Sequence, residues 1–358
     1  MSRILELKRG DTVISRIVMG SWQDDLHDLL PWGHRVIVIT DTVVARRYRR
    51  LIGRYEHLVI GTGEKIKTLQ TVETLYRELE ARNADRETFI LGIGGGIVTD
   101  ITGFVASTYM RGVRFGFVST TLLGEVDASV GGKNGVNLDG YKNMVGTFNQ
   151  PEFVLCDTGM LRTLSDRQFR AGLAEIIKAG MLGNRVLFEM LESLDFGELR
   201  SNSALLSDIV MMSIRVKAEI VERDEREGGE RRKLNLGHTI AHAIEKSSRR
   251  MLHGEAVAVG CVAMSHLAAA NGMLDQPSCD RIERLFKRLG FETHSPVGVD
   301  RLVSALRKDK KSAGDHIHIV LPTGIGCCEV RTVSFEWLDD RLKGIGELIE
   351  ASDKQGKE

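Results

Sequence analysis

The sequence lacks several features that would assign a chain to a class directly. It has no net charge, because 49 lysines and arginines balance 49 aspartates and glutamates, so no global field draws it to nucleic acid or to a membrane. Its five cysteines contain no CxxC pair, which favours reduced, buried thiols in a cytosolic protein. Charged residues interrupt the N-terminus, which argues against a signal peptide.

Long apolar runs are also missing. The longest one, residues 256–270, contains Ser265 and His266 and falls short of the ~20 residues of a membrane span, so we predict a buried helix there. Binding of an anionic ligand must therefore depend on local clusters of charge.

What the chain does contain is a sheet pattern followed by a helical one. At 358 residues we expect two domains that share a cleft. Residues 1–160 alternate β-branched runs with helical patterns, which predicts βαβ units over a mostly parallel sheet. The predicted strands are 35–40, 57–64, 88–94, 114–121 and 152–157, with helices at 71–82 and 97–109 and a functional loop at 131–148.

After residue 160 the pattern is helical. We predict helices at 205–221, 281–289, 299–307 and near 335–349, with one short strand at 316–322. The boundary between the sheet-based and the helix-based region is placed near residue 160.

A glycine turn closes one of the predicted strands. Gly94-Gly95-Gly96 is followed at once by a helix, which lets the backbone approach a phosphate at the helix N-terminus. A tight packing turn explains the same glycines. The surrounding βαβ pattern, and Asp41 at an earlier strand end where it can take a ribose hydroxyl, favour a nucleotide.

Three histidines lie together in the helical region. His238 and His242 are four residues apart and share one helix face, and His253 opens the next apolar helix. Such histidines can bind a divalent cation together with a carboxylate. Glu175 lies on a helix that is apolar nearly all round, so we predict it as that ligand; a surface ion pair with Lys178 is the alternative.

Cations recur in the predicted loops and helices, and each has a simple alternative, such as an ion pair or a lysine that reaches solvent. Together they suit a small substrate with more than one anionic group. A metal could then polarise a substrate hydroxyl while a nicotinamide accepts the hydride. These cations are Lys133, Lys142, Lys178, Lys217 and Arg231.

Seven segments carry a resemblance to a known family. In chain order they are GGGIVTDITGFVASTYMRG, STTLLGEVDASVGGKNGVN, KNMVG, FRAGLAEIIKAG, DEREGGERRKLNLGHTIAHAIE, LHGEAVAVG and KDKKSAGDHIHIVLP. The set resembles 3-dehydroquinate synthase, a member of the sugar phosphate cyclases, over about residues 36–322. A glycine turn or a GHxxxH pair alone would not be specific, but the ordered set is.

The resemblance implies a homodimer with a Rossmann-like NAD-binding domain at 1–160 and a helical metal- and substrate-binding domain at 161–358. Each subunit would use one NAD and one Zn²⁺ or Co²⁺. The implied metal ligands are Glu175, His238 and His253, which moves His242 from the metal to acid–base or substrate-orienting duty beside it. Arg111 resembles an arginine that reaches the substrate phosphate of the neighbouring subunit.

The resemblance also implies the remaining contacts. The implied NAD contacts are Asp41, Glu64, Lys67, Gly95, Gly96, Ile97, Val98, Thr99, Asp100, Thr120, Thr121, Asp127, Lys133 and Lys142. The implied substrate contacts are Lys133, Asn143, Lys178, Lys217, Arg231, Asn235 and Lys310.

The implied reaction converts 3-deoxy-D-arabino-heptulosonate 7-phosphate into 3-dehydroquinate and phosphate in the shikimate pathway. It proceeds by transient oxidation, phosphate elimination, re-reduction and aldol closure, so NAD is regenerated. Thr99 and the segments LLGEV and LDGYKN depart from the commoner family pattern. The alternatives are another sugar phosphate cyclase, a metal-dependent NAD polyol dehydrogenase and a non-catalytic binding protein.

Overall fold

The computed structural model describes residues 2–248, 251–308 and 314–350. The chain divides into two compact units, Met1–Ser165 and Asp166–Glu358. The predicted fold class, a mostly parallel sheet followed by a helical region, is confirmed. Among the described residues no helix has the length and apolar character that crossing a membrane requires.

The strands of the described chain are β1 Arg3–Arg9, β2 Thr12–Met19, β3 Val36–Asp41, β4 Glu56–Ile60, β5 Phe89–Gly94, β6 Phe115–Ser119, β7 Lys133–Leu138, β8 Tyr141–Phe148, β9 Phe153–Cys156, β10 His316–Gly324 and β11 Cys327–Ser334. The α-helices are α1 Leu26–Leu29, α2 Thr42–Arg47, α3 Arg49–Ile52, α4 Leu69–Ala81, α5 Gly96–Thr108, α6 Asp166–Gly183, α7 Arg185–Ser193, α8 Phe196–Ser201, α9 Ser203–Arg223, α10 His238–Ser247, α11 His253–Ala270, α12 Gln276–Arg288, α13 Val299–Lys308, α14 Phe335–Gly344 and α15 Gly346–Ile349.

Unit 1 is built on a seven-stranded sheet with the order β1-β2-β9-β6-β5-β3-β4. Only the β1–β2 pair is antiparallel. Strands β5 and β6 are buried at every position, as continuous apolar runs in a parallel sheet must be. Because parallel strands end at one edge, the ends of β3, β5 and β6 bring Asp41, Gly94 and Ser119 to the same edge, where α/β proteins bind ligands.

The prediction of a loop at 131–148 is wrong, because this segment forms the antiparallel hairpin β7–β8. Its turn is Asp139-Gly140, with both residues at positive φ, and Leu138 pairs directly with Tyr141. An Asp-Gly turn between two strands is a strong hairpin signal. The many glycines and asparagines of the strands hid that signal.

Other differences are smaller. The sequence analysis did not predict the antiparallel pair β1–β2, helices α7 and α8 or strand β11. The helix predicted at 335–349 consists of two helices, α14 and α15. The predicted strand 57–64 ends at Ile60, because Gly61-Thr62-Gly63 turns the chain and Gly63 takes a positive φ of 82°.

Unit 2 is organised around α11, which is buried along almost its whole length. Two glycines let neighbouring backbones touch this helix. A Cβ at Gly254 would lie 1.9 Å from the carbonyl oxygen of Ala171 on α6. A Cβ at Gly260 would lie 2.0 Å from the carbonyl oxygen of Gly237, which precedes α10. The distances between α6, α10 and α11 are therefore set by backbone contact.

We expect Gly254→Ala to destabilise the protein by about 1–3 kcal/mol, because the new methyl group would force α6 and α11 apart. Denaturant unfolding monitored by circular dichroism measures this loss. Gly344→Ala is the control: Gly344 is also helical, at the last position of α14, but a Cβ there would meet no atom within 4 Å, so alanine should be neutral or stabilising. Equal stability of the two variants would contradict the close-contact account.

Candidate active site

In unit 1 the glycine turn is placed against the end of the neighbouring strand. Gly95 caps α5 with its backbone, and a Cβ there would lie 2.9 Å from the side chain of Thr121. The N–H of Thr120 donates to the carbonyl oxygen of Gly94 over 2.9 Å. The turn thus presents a helix N-terminus beside Thr120 and Thr121, an arrangement that suits a phosphate.

The other residues of this turn differ in what they expose. Ile97 is half-buried, Val98 is buried, and Thr99 is buried with its hydroxyl donating to the carbonyl oxygen of Gly96 at 3.1 Å. Asp41 uses Oδ1 to accept the N–H groups of Val43 and Val44, so it caps α2 at the end of β3.

A polar network joins four predicted site residues of unit 1. The buried ammonium group of Lys67 contacts the carboxylate of Asp100 and the side-chain oxygen of Asn143. The amide of Asn137 donates to Glu64 over 2.7 Å and accepts the N–H of Asn143 over 2.9 Å. Asn137, which was not among the predicted site residues, thus connects Glu64 with the β7–β8 hairpin.

Asp100 is the member of this network with a perturbed pKa. Burial raises the pKa of Asp100 to about 6, and the Lys67 ammonium opposes that rise only in part. A carboxyl beside a lysine in a buried network is typical of a ligand site.

The remaining candidates of unit 1 are more exposed. Lys133 begins β7 and Lys142 lies on β8, both with exposed side chains, and Asp127 is half-buried in the π-helical turn Gly124–Ala128. Arg111 is exposed and has a φ of 70°, directly after Met110 at 50°. Two successive non-glycine residues at positive φ are strained, and such strain concentrates at functional positions.

In unit 2 the structure brings Glu175, His238 and His253 together as a possible metal site. Glu175 Oε1 lies 3.8 Å from Nε2 of His238 and 3.6 Å from Nε2 of His253. Four tetrahedral ligands with bonds of about 2.1 Å are about 3.4 Å apart, so the observed spacing is close to that of a zinc site. Three protein ligands leave one position for a substrate, which is typical of a catalytic metal.

The two histidines have opposite pKa shifts. Burial, together with the Lys178 ammonium, lowers the pKa of His238 to about 3, so its ring is neutral and ready to bind a metal. Burial also lowers the pKa of His253, but hydrogen bonds to Glu175 and Glu245 outweigh this effect and raise it to about 9. A metal at this site must therefore displace a proton from His253.

His242 is not part of the metal cluster. Its ring is exposed and stacks edge-on against His238, with 5.5 Å between the ring centroids. Helical spacing alone suggested that His238 and His242 are ligands of the same ion. The cluster instead combines His238 with His253, as the family resemblance implied.

Lys178 and Arg231 are buried cations of unit 2, and Lys178 directly contacts the metal cluster. The ammonium group of Lys178 contacts Glu175 and donates to the carbonyl oxygen of Leu234 over 2.8 Å. Arg231 is 2% exposed, and its guanidinium donates to the carbonyl oxygen of Glu225. Both cations are therefore held in place by the protein itself.

Asn235 lies on the wall of a pocket. Its amide donates to Glu227 over 2.7 Å. The pocket has a volume of about 310 Å³ and is lined by Arg226, Glu227, Arg232, Asn235, His318 and Val320. Lys217 is half-buried on α9. The predicted contact Lys310 lies outside the described residues.

Three acidic residues escaped the sequence analysis as site components. Glu227 positions Asn235, and Glu245 lies 3.3 Å from Nδ1 of His253. Glu245 is seven residues after His238, a spacing that places both on one helix face and that could have identified it. Glu125 is completely buried and follows Gly124, at which a Cβ would lie 3.7 Å from the backbone nitrogen of Gly96.

The sequence matches the family model for the N-terminal part of 3-dehydroquinate synthase over residues 57–171 and that for its C-terminal part over residues 172–312. A 3-dehydroquinate synthase from Synechococcus sp. is 41% identical over 321 residues, which cover 86% of this chain and 87% of the relative. A further one from Dictyoglomus thermophilum is 41% identical over 84% of this chain and 83% of the relative.

A solved structure adds a second comparison. The 2-epi-5-epi-valiolone synthase from Streptomyces hygroscopicus subsp. jinggangensis, solved with NAD⁺ and Zn²⁺ bound, is 28% identical to this chain. Its TM-score is 0.84, and the match covers 97% of this chain and 99% of that one.

We expect uptake of Zn²⁺ by the metal-free protein at pH 7.5 to release about one proton, because His253 has a pKa of about 9 and must lose its proton to bind. His238 contributes none, since it is already neutral. Metal affinity should consequently rise with pH up to about 9. Calorimetric titration in buffers of different ionisation enthalpy counts the protons, and a buffer-independent enthalpy would contradict this assignment.

We expect Glu125→Gln to stabilise the protein increasingly as the pH rises. Burial, and to a smaller extent the Asp157 carboxylate, raise the pKa of Glu125 well above its usual value. The folded state then keeps a proton that the unfolded chain releases, so the contribution of Glu125 to wild-type stability falls above about pH 4.5, by at most about 1.4 kcal/mol per pH unit until the folded pKa is reached.

Urea unfolding at pH 5, 6, 7 and 8 measures the difference in the free energy of unfolding between Glu125→Gln and the wild type. The control is Glu73→Gln, which removes an exposed carboxylate from α4 and should give no such trend. A Glu125→Gln curve parallel to the wild-type curve across this range would contradict a raised pKa.

Proposed function

The chain belongs to the 3-dehydroquinate synthase family, and on this premise we propose which of its residues perform the family's reaction. That reaction converts 3-deoxy-D-arabino-heptulosonate 7-phosphate into 3-dehydroquinate and phosphate, a carbon–oxygen lyase reaction without net redox change. The observation that carries the proposal is the cluster of Glu175, His238 and His253 with Lys178 in direct contact.

The cofactor assignments follow the two units. Residues 1–160 would bind NAD through the glycine turn, Thr120, Thr121 and the Glu64–Lys67–Asp100 network, and residues 161–358 would bind Zn²⁺ or Co²⁺ and substrate. The donor set fits such an ion, because a carboxylate and two imidazole Nε2 atoms lie at nearly tetrahedral spacing. When bound, NAD supplies a reversible hydride acceptor and the metal supplies a Lewis acid.

The chain's own cations orient the substrate. A substrate with a carboxylate and a phosphate needs several fixed positive groups, and Lys178 and Arg231 are already immobilised by hydrogen bonds to backbone carbonyls. Asn235, held by Glu227, offers its amide oxygen at the pocket wall. Lys133, Asn143, Lys217 and Lys310 complete the proposed set of substrate contacts.

Proton transfer is assigned to His242. Its ring is exposed and lies edge-on to His238, so it can exchange protons with solvent beside the metal ligands. We also assign the enzyme to the cytoplasm, which the described free cysteines support. We further assign a homodimeric state, in which the strained, exposed Arg111 would reach the phosphate bound by the neighbouring subunit.

Two other functions remain the relevant rivals. Another sugar phosphate cyclase would act on a sugar phosphate without a carboxylate, and a polyol dehydrogenase would accumulate NADH. The sequence identity is 41% to a 3-dehydroquinate synthase and 28% to the valiolone synthase. This difference favours 3-dehydroquinate synthase activity over that of another cyclase.

We expect purified enzyme with Zn²⁺ and NAD at one-hundredth of the substrate concentration to release one phosphate for each heptulosonate phosphate consumed. NADH should not accumulate, because the hydride returns to the substrate in each turnover. Phosphate release and absorbance at 340 nm measure the two quantities.

Glu175→Gln should lower turnover by at least about tenfold through loss of metal.

Glucose 6-phosphate serves as the substrate control, since it lacks the carboxylate. Turnover of this sugar at a rate comparable to that of the heptulosonate would favour another cyclase. One NADH for each substrate consumed would favour the dehydrogenase.

A further inference from the structure

Both histidines of the metal cluster have their second ring nitrogen held by an acceptor. Nδ1 of His238 lies 3.1 Å from the carbonyl oxygen of Leu236, and Nδ1 of His253 lies 3.3 Å from Oε1 of Glu245. A carbonyl and a carboxylate can only accept hydrogen bonds, so each Nδ1 carries the proton in the metal-binding form. Each Nε2 lone pair is then directed towards Glu175.

We propose that Glu245 is a positioning residue of the metal centre, whose carboxylate orients His253 and increases the affinity of the site for a divalent cation. This inference rests on the proposed function and extends it beyond the three ligands. Carboxylates that accept a hydrogen bond from a metal-binding histidine fix its tautomer and raise its basicity. His238 has only a neutral carbonyl in this position, so the two imidazoles are supported unequally.

The negative charge of Glu245 also counteracts the positive charge of Lys178 near the metal cluster. The Lys178 ammonium touches Glu175, so a positive group lies next to the carboxylate that would bind a dication. Repulsion between that ammonium and the metal weakens binding, and it is strong where the surroundings are dry. The Glu245 side chain is only 9% exposed, so its negative charge is weakly screened and counteracts Lys178.

Helix α10 is arranged to supply this group. His238 begins the helix, His242 follows one turn later and Glu245 one turn after that. At this spacing all three lie on one side of the helix. A single helix thus provides a ligand, a second imidazole beside it and the carboxylate that holds the ligand of α11.

The experiment compares the metal-free wild type with Glu245→Ala, Glu245→Gln and the matched control Glu283→Gln. Glu283 on α12 accepts from Nε2 of His266 over 3.1 Å, so it forms a carboxylate–histidine pair whose histidine also lies on α11, thirteen residues after His253. Zn²⁺ affinity is measured at pH 7.5 by competition with a chromophoric chelator. Co²⁺ binding is followed by its visible absorption spectrum.

We expect Glu245→Ala to weaken Zn²⁺ binding about 10- to 100-fold. Glu245→Gln keeps an acceptor for Nδ1 but loses the charge, so it should weaken binding less. Glu283→Gln should bind like the wild type. The Co²⁺ spectrum should change in the Glu245 variants alone, which a loss of general stability would not produce.

Wild-type Zn²⁺ affinity and an unchanged Co²⁺ spectrum in Glu245→Ala would overturn the inference, whatever happens to turnover. If Glu245→Ala does not fold, Glu245→Gln decides by the same two measurements. A wild-type protein that binds neither ion would overturn the proposed metal centre and this inference together. An equal loss of affinity in Glu283→Gln would show a structural effect and would also overturn it.

Discussion

The backbone contacts on α11 are the constraint on which the metal cluster depends. Gly254 touches the carbonyl of Ala171, which is one helical turn before Glu175, and it directly follows His253. A matching contact between Gly260 and the residue before His238 fixes α10. Each of the three donors is therefore within about two turns of a contact that admits no side chain. Helices that approach this closely have little freedom to change the spacing of the donors.

The same packing buries two charged side chains, Glu175 and Lys178, which costs free energy unless the charges are paired. Glu175 and Lys178 are each 3% exposed, so two charges lie on a helix among apolar neighbours. Buried charges cost several kcal/mol each unless they are paired and hydrogen-bonded. Here they contact one another, and Lys178 also donates to a backbone carbonyl. Electrostatic interactions at a buried position of this kind are stronger than they would be in water.

Much of the fold could be predicted from the sequence, because apolar runs and helical periodicity are local properties. Strands β3, β5, β6 and β9 and the buried helix α11 follow from them. Which histidine accompanies His238 could not be predicted from spacing. His242 and His253 both have plausible positions, and the choice depends on how α10 and α11 pack at Gly260, which is a tertiary property. Glu125 gives no periodic signal, since only its burial distinguishes it.

The chain has no net charge, and its buried lysines are likewise paired with carboxylates. Lys67 contacts Asp100 and Lys178 contacts Glu175, so cations proposed to meet NAD or substrate are already paired with carboxylates of the same sites. Pairing holds these buried lysine side chains in place and offsets the cost of burying their charge. An anionic ligand would meet a preformed ion pair and would not have to order a flexible lysine. Local arrangement of balanced charge can thus bind anions where an overall positive field is missing.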